Sequence, residues 1–157
     1  MKKITKKLKK KLKSYNLKLK EECGVFGVSN NTDASALTAL GLHALQHRGQ
    51  EGCGIVSFDG KKYHSEKRFG LVGDNFSKEK VLKNLSGNYA IGHNRYSTTG
   101  ENTLRNIQPF FADTNAGGIG VAHNGNLTNS ITLRNKLVGD GAIFHTTSDT
   151  ETIVHLI

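Results

Sequence analysis

The chain has 157 residues and a formal charge of +9, but residues 1–22 alone hold ten lysines and two glutamates, and the other 135 residues sum to +1. The pI near 9.6 therefore describes a leader rather than a body, which argues against a nucleic-acid face on the folded part. A 36% hydrophobic, 22% charged composition is that of a globular protein, no apolar run approaches the ~20 residues that span a bilayer, and two cysteines cannot build a disulfide framework, so the expectation is a cytoplasmic protein without a membrane partner.

Within the leader, Ile4, Leu8 and Leu12 recur at helical spacing, and a lysine-rich amphipathic helix of that kind can rest on anionic lipid or RNA. A solvated, self-repelling tail explains the same pattern more simply. The absence of arginine and the single serine, Ser14, do not fit a transit peptide. The composition changes abruptly at Glu22-Cys23-Gly24-Val25-Phe26-Gly27, which divides a basic leader, 1–22, from a domain, 23–157.

Cys23–Val28 reads as a short apolar strand, and Asp33 is placed to cap a helix running to about Gln46 and closed by Gly49. Segments 54–58 and 62–67 read as a hairpin across Asp59-Gly60. A helix over 78–85 and a strand over 89–93 follow, then strands over 109–112 and 119–123 flanking a turn at 115–118. Asn129 or Ser130 can cap a helix to Leu137, and Ser148-Asp149-Thr150-Glu151 has the form of a capping box before Ile153–Ile157. The mixed order of strands and helices points to α+β or α/β layers.

Several residues can carry chemistry. Cys23 opens the domain; a cysteine attacks as thiolate and needs a base, because its free pKa is about 8.5. A cut between Glu22 and Cys23 would supply one, since an α-amine with pKa about 7.7–8.0 can accept the thiol proton and an amide cannot. A buried strand cysteine is an equal alternative on position alone. Cys53, between Gly52 and Gly54, reads as buried filler. The run His93-Asn94-Arg95-Tyr96-Ser97-Thr98-Thr99-Gly100 is a candidate lined pocket in which the Arg95 fork suits a carboxylate or phosphate; a structural salt bridge is the alternative. Asn124-Gly125 is either an ordinary turn or a pair of oxyanion donors. Asp149 suits a helix N-terminus, whatever else it does. The seven histidines show no metal-ligand spacing, so no metal site is expected, and Gly117-Gly118-Ile119-Gly120 is neither a Walker loop nor a dinucleotide fingerprint.

Taken together, CGVFG (23–27), LQHRGQEGCGI (45–55), GHNRYSTTG (92–100), NIQPF (106–110), AHNGNLTN (122–129) and TTSDTE (146–151) resemble the N-terminal-nucleophile glutaminase domain of the class II glutamine amidotransferases. HRGQE and RYSTTG resemble most the branch of that family whose second domain is a phosphoribosyltransferase using phosphoribosyl pyrophosphate (PRPP) in purine synthesis. The resemblance implies an α+β fold, a four-layer αββα sandwich of stacked antiparallel sheets, incomplete here at its C-terminal side. It implies glutamine as substrate, Cys23 as nucleophile, Asn124 and the Gly125 N–H as oxyanion donors, Arg95 and Asp149 as the clamp on the α-carboxylate and α-ammonium, and Arg48, Tyr96 and Thr98 lining the same pocket. Mg2+, an iron–sulfur cluster in some members, PRPP and homo-oligomer formation are implied only for the remainder of the family chain. No acidic pair before a phosphate loop is present in these residues, so the expectation is a partial glutaminase domain, without the phosphoribosyltransferase domain, that is weak or inactive alone. Two alternatives are a class II amidotransferase of another branch, and a non-catalytic protein whose leader docks to nucleic acid or membrane, which steep salt dependence would reveal.

Overall fold

The structure, a computed structural model, describes residues 22–96 and 103–157. Residues 1–21 of the leader, and Thr98, therefore lie outside the described residues. β1 (Gly24–Val28) leads to helix α1 (Ala34–Ala44) and a 3-10 turn at Gln46–Arg48; β2 (Gly52–Phe58) and β3 (Tyr63–Phe69) form the expected hairpin. Two short helices, α2 (Val72–Phe76) and α3 (Glu79–Lys83), precede β4 (Tyr89–Arg95). A 3-10 turn at Leu104–Asn106, β5 (Phe110–Thr114), β6 (Gly117–Val121), α4 (Ser130–Gly139) and α5 (Asp149–Leu156) complete the chain.

The first sheet is antiparallel throughout, in the order β1-β4-β2-β3, and β5-β6 form a second antiparallel pair. Alternation of side chains across β4 divides the molecule into layers. Asn94 faces α1, its amide donating to the Leu42 carbonyl at 2.6 Å, and Thr38 of α1 donates to the Ala90 carbonyl at 3.5 Å. Arg95, on the opposite face, donates to the Asn106 carbonyl at 2.8 Å. β2 repeats the division: Cys53 and Ile55 belong to the apolar core under the helices, while a Cβ on Gly54 would meet the Gln108 carbonyl oxygen at 2.2 Å. Only glycine lets the second layer come that close. Across the same interface Tyr63 stacks on Phe111 with ring centroids 5.5 Å apart. Helix α5 packs on β5 and β6 from the far side and α4 packs on α5, so the order is helix, sheet, sheet, helix. This is the four-layer α+β sandwich the resemblance implies.

The core sits in the first interface, where Ala34, Leu42, Cys53, Ile55, Val72 and Phe76 are buried. Fully burying a side chain of the size of Leu42 or Ile55 contributes about 2 kcal/mol.

Local details differ from the sequence expectations in several places: the helix Val72–Phe76 was not expected, and β6 takes in Gly117 and Gly118, which were expected in the turn. Asp33 stands at the N-cap of α1 but its side chain makes no capping bond; Asn31 turns the chain instead, its Oδ1 accepting from the Asp33 N–H at 2.8 Å. The helix also stops at Ala44, and Gln46–Arg48 is a separate 3-10 turn. β4 runs through Arg95, so the polar run begins inside a strand rather than after one. At α5 the capping box is half realised. Ser148 Oγ accepts from the Thr150 N–H at 3.3 Å, but Glu151 accepts from the backbone of His145 and Thr146 and from the Thr146 hydroxyl, at 2.7–2.8 Å. The loop before α5 offers Glu151 three donors, more than the single Ser148 N–H of a capping box.

Candidate active site

Antiparallel pairing sets Gly24 opposite Asn94, and one more residue along each strand brings Cys23 to the level of Arg95 and Tyr96. Cys23 is half-buried, and its backbone is left-handed at φ +60°, a region that costs a non-glycine residue about 1–2 kcal/mol. The Tyr96 N–H donates to Cys23 Sγ at 3.3 Å, and the thiol donates to the Tyr96 carbonyl at 3.4 Å. Tyr96 thus serves the thiol through its backbone, while its ring is exposed. Burial raises the Cys23 pKa above its ordinary value; the Tyr96 hydrogen bond and the Arg95 charge pull it back, and Glu22 and Glu51 push it further up. With a peptide bond to Glu22 the group is a protonated thiol at neutral pH.

The backbone of Cys23 is held from two sides. Its N–H donates to the Arg48 carbonyl at 2.8 Å, and the Arg48 guanidinium Nε donates to the Cys23 carbonyl at 2.7 Å. Arg48 can approach because the next residue lacks a side chain: a Cβ on Gly49 would lie 2.8 Å from the Arg95 carbonyl carbon and oxygen. Asn124 arrives from the second layer, its side-chain amide donating to the same Cys23 carbonyl at 3.3 Å. Gly125 follows with φ +153°, a conformation a side chain would resist.

Arg95 is nearly buried, and Asp149 sits in the first turn of α5 with Oδ2 accepting from the Leu127 N–H at 2.7 Å. Asp149 thereby ties the 123–127 loop, which carries Asn124, to the helix. Five of the residues selected from sequence, Cys23, Arg48, Arg95, Tyr96 and Asn124, join in one hydrogen-bonded and electrostatic cluster, and Asp149 is linked to it through the Asn124 loop. Cys53 is fully buried, with burial pushing its thiol up to about 12, as suits filler.

Two residues carry more of this geometry than the sequence reading gave them. Gln108 Oε1 accepts from the His123 N–H at 2.7 Å, which fixes the start of the Asn124 loop, and Asn106 bridges toward α5. Both lie in NIQPF; the signal was that run of amides, which has no chemistry visible before the fold closes. His93, on the Arg95 face of β4, is held near pKa 4, first by burial and then by the charges of Arg95 and His123. Among the described residues no group of three or more His, Cys, Asp or Glu side chains could hold a metal ion, and no helix is long and apolar enough to cross a membrane.

Residues 93–157 match the glutamine amidotransferase domain family. The chain is 60% identical over 139 residues to the amidophosphoribosyltransferase of Rhizobium etli, covering 88% of this chain and 28% of that protein. It is 52% identical over 141 residues to the amidophosphoribosyltransferase of Lacticaseibacillus casei, covering 88% of this chain and 72% of that protein. Among solved structures it superposes on the allosteric regulatory enzyme of purine biosynthesis with a TM-score of 0.77 at 45% identity, over 84% of this chain and 28% of that one. The glutamine PRPP amidotransferase of Bacillus subtilis, complexed with ADP and GMP, gives 0.74 at 44% identity over the same shares.

Proposed function

The chain belongs to the amidophosphoribosyltransferase family, and from that premise we propose that Cys23 is the nucleophile of a glutaminase whose ammonia passes to PRPP on a second domain. The supporting observation is the surroundings of Cys23, with a backbone donor on its sulfur and the Asn124 amide at its carbonyl. These residues span about a quarter of most relatives' length, so the acceptor chemistry, the PRPP partner and any homo-oligomer rest on the family alone.

Residues 1–22 leave first. The break between Glu22 and Cys23 coincides with the end of the +8 block and with the strained φ of Cys23. An α-amine created there keeps the donor contact to the Arg48 carbonyl that the amide now makes. It also becomes a base beside a thiol that burial otherwise keeps protonated. The amine takes the thiol proton, and the sulfur attacks the side-chain amide carbon of glutamine. The Asn124 amide and the Gly125 N–H hold the oxyanion, the ammonium form of the amine protonates the leaving nitrogen, and ammonia departs. Water then cleaves the thioester to glutamate, with the same amine as base. Arg95 binds the α-carboxylate, Asp149 the α-ammonium, Arg48 fixes the nucleophile's backbone, and Tyr96 lines the pocket, a role the family resemblance also gives Thr98. Two free thiols suit a reducing cytoplasm.

The test is glutamate release from glutamine by the processed full chain and by its Cys23→Ala variant. The reading expects release from the former and background from the latter; equal release from both overturns it.

A further inference from the structure

The two ends of the glutamine clamp stand on separate elements, Arg95 at the end of β4 and Asp149 in the first turn of α5, and their spacing must match one α-amino acid. One residue connects them. Asn106 closes the 3-10 turn at Leu104–Asn106 and is fully buried. Its backbone carbonyl accepts from the Arg95 guanidinium at 2.8 Å. Its side chain grips Thr147, Nδ2 donating to the hydroxyl at 2.7 Å and Oδ1 accepting from the Thr147 N–H at 2.9 Å. Thr147 stands two residues before Asp149, and between them Ser148 caps α5 through its bond from the Thr150 N–H.

The orientation of the amide is dictated, because a backbone N–H can only donate, so the oxygen must face it and the NH2 must face the hydroxyl. A filler role would ask only for volume. Here both ends of a buried amide are used on one residue, which fixes rotation as well as distance, and the same residue's carbonyl carries the guanidinium. We propose that Asn106 is a positioning residue that sets the distance between Arg95 and Asp149, and so selects the α-amino-acid end of the substrate. The proposal rests on the reading of Arg95 and Asp149 as the glutamine clamp.

Asn106 touches neither the sulfur nor the oxyanion donors, so its loss weakens recognition and leaves the chemical step. Each hydrogen bond removed is worth about five-fold. In the processed full chain, Asn106→Ala raises KM for glutamine about ten-fold or more, with kcat within about three-fold, and Thr147→Val, which removes only the hydroxyl, raises KM by about two- to five-fold. A second readout separates clamp from fold. Cys23 is labelled with a diazoketone analogue of glutamine, which needs the clamp, and with iodoacetamide, which does not. The Asn106→Ala variant slows the first by the same factor as its KM and leaves the second unchanged. An unchanged KM, or equal slowing with both reagents, overturns the proposal while labelling of the parent chain by the glutamine analogue stands. If the parent chain reacts with iodoacetamide and ignores the glutamine analogue, the clamp reading itself falls and takes the proposal with it. Should Asn106→Ala fail to fold, Thr147→Val decides alone, and an unchanged KM there is the contradicting result.

Discussion

The two interfaces on either side of the first sheet differ in kind. Under α1 the buried residues are mostly aliphatic or aromatic, and the few polar ones each reach a single backbone carbonyl: Ser35 donates to that of Leu85 at 2.6 Å and Asn94 to that of Leu42 at 2.6 Å. Between and beyond the sheets the buried set includes His93, Arg95, Asn106, Gln108, Ser148, Thr150 and Glu151, and their bonds run between elements. One interface stabilises by removing apolar surface from water; the other holds polar groups at fixed separations, which costs desolvation and gives geometry. The difference teaches where a mutation acts: on the first face it changes the stability of the whole domain, and on the second it changes what the domain recognises or does and, at the buried His93, how stability depends on pH.

The largest stability effect is expected at the first face. Leu42→Ala empties a fully buried site and should cost about 2–5 kcal/mol in a denaturant titration, with the kcat of the remaining folded protein unchanged. A cost below about 1 kcal/mol would mean that the apolar face does not carry the fold. The mirror experiment is Asn124→Ala, whose side chain is exposed and, among the described residues, hydrogen-bonds only the Cys23 carbonyl. It should lower the rate of glutamine hydrolysis about 10²–10³-fold with the unfolding midpoint unmoved.

A third test uses pH. His93 is held near pKa 4 in the folded state against about 6.5 unfolded, so between those values the unfolded chain binds the extra proton. The stabilisation from neutral His93 is complete above about pH 6.5 and is lost as pH falls toward 4, by at most about 3 kcal/mol. His93→Gln should flatten the stability profile in that window, measured by denaturant titration from pH 7 to 4; an unchanged slope would assign the acid loss elsewhere. The smallest effect is expected on α4, which has no buried residue: Val138, half-exposed, should accept lysine within about 0.5 kcal/mol of the parent stability.

The same contrast explains what could be read before the fold was known. The first face follows from local pattern. The apolar strand at 24–28, the helix after Asp33 and the Asp59-Gly60 hairpin all rest on contacts between chain neighbours or on turn chemistry. Even there the limits were physical. Asp33 has the residue type of a cap, yet Asn31 makes the turn, and Val72–Phe76 is too short a helix to show a period. The site was legible as residue types and motif resemblance, but not as geometry. Cys23 and Asn124 are 101 positions apart, and only the β1–β4 register and the stacking of the second sheet bring them together. Asn106 and Gln108 stayed silent because an amide's role depends on the partners at its two ends, and those partners, Thr147 and His123, come from other layers. Glu151 misled for a related reason: its spacing from Ser148 matches a capping box, and three better-placed donors took it.

Catalysis depends on the α-amine of Cys23 acting as base for its own thiol. The direct measurement is glutamate release by the full chain beginning at Cys23 against the same chain retaining residues 1–22, each verified by intact mass. General-base assistance is worth about 10²–10⁴ in rate, so the leader-bearing form should be slower by at least about 10². Equal rates, with the leader still attached at the end of the assay, would contradict the account.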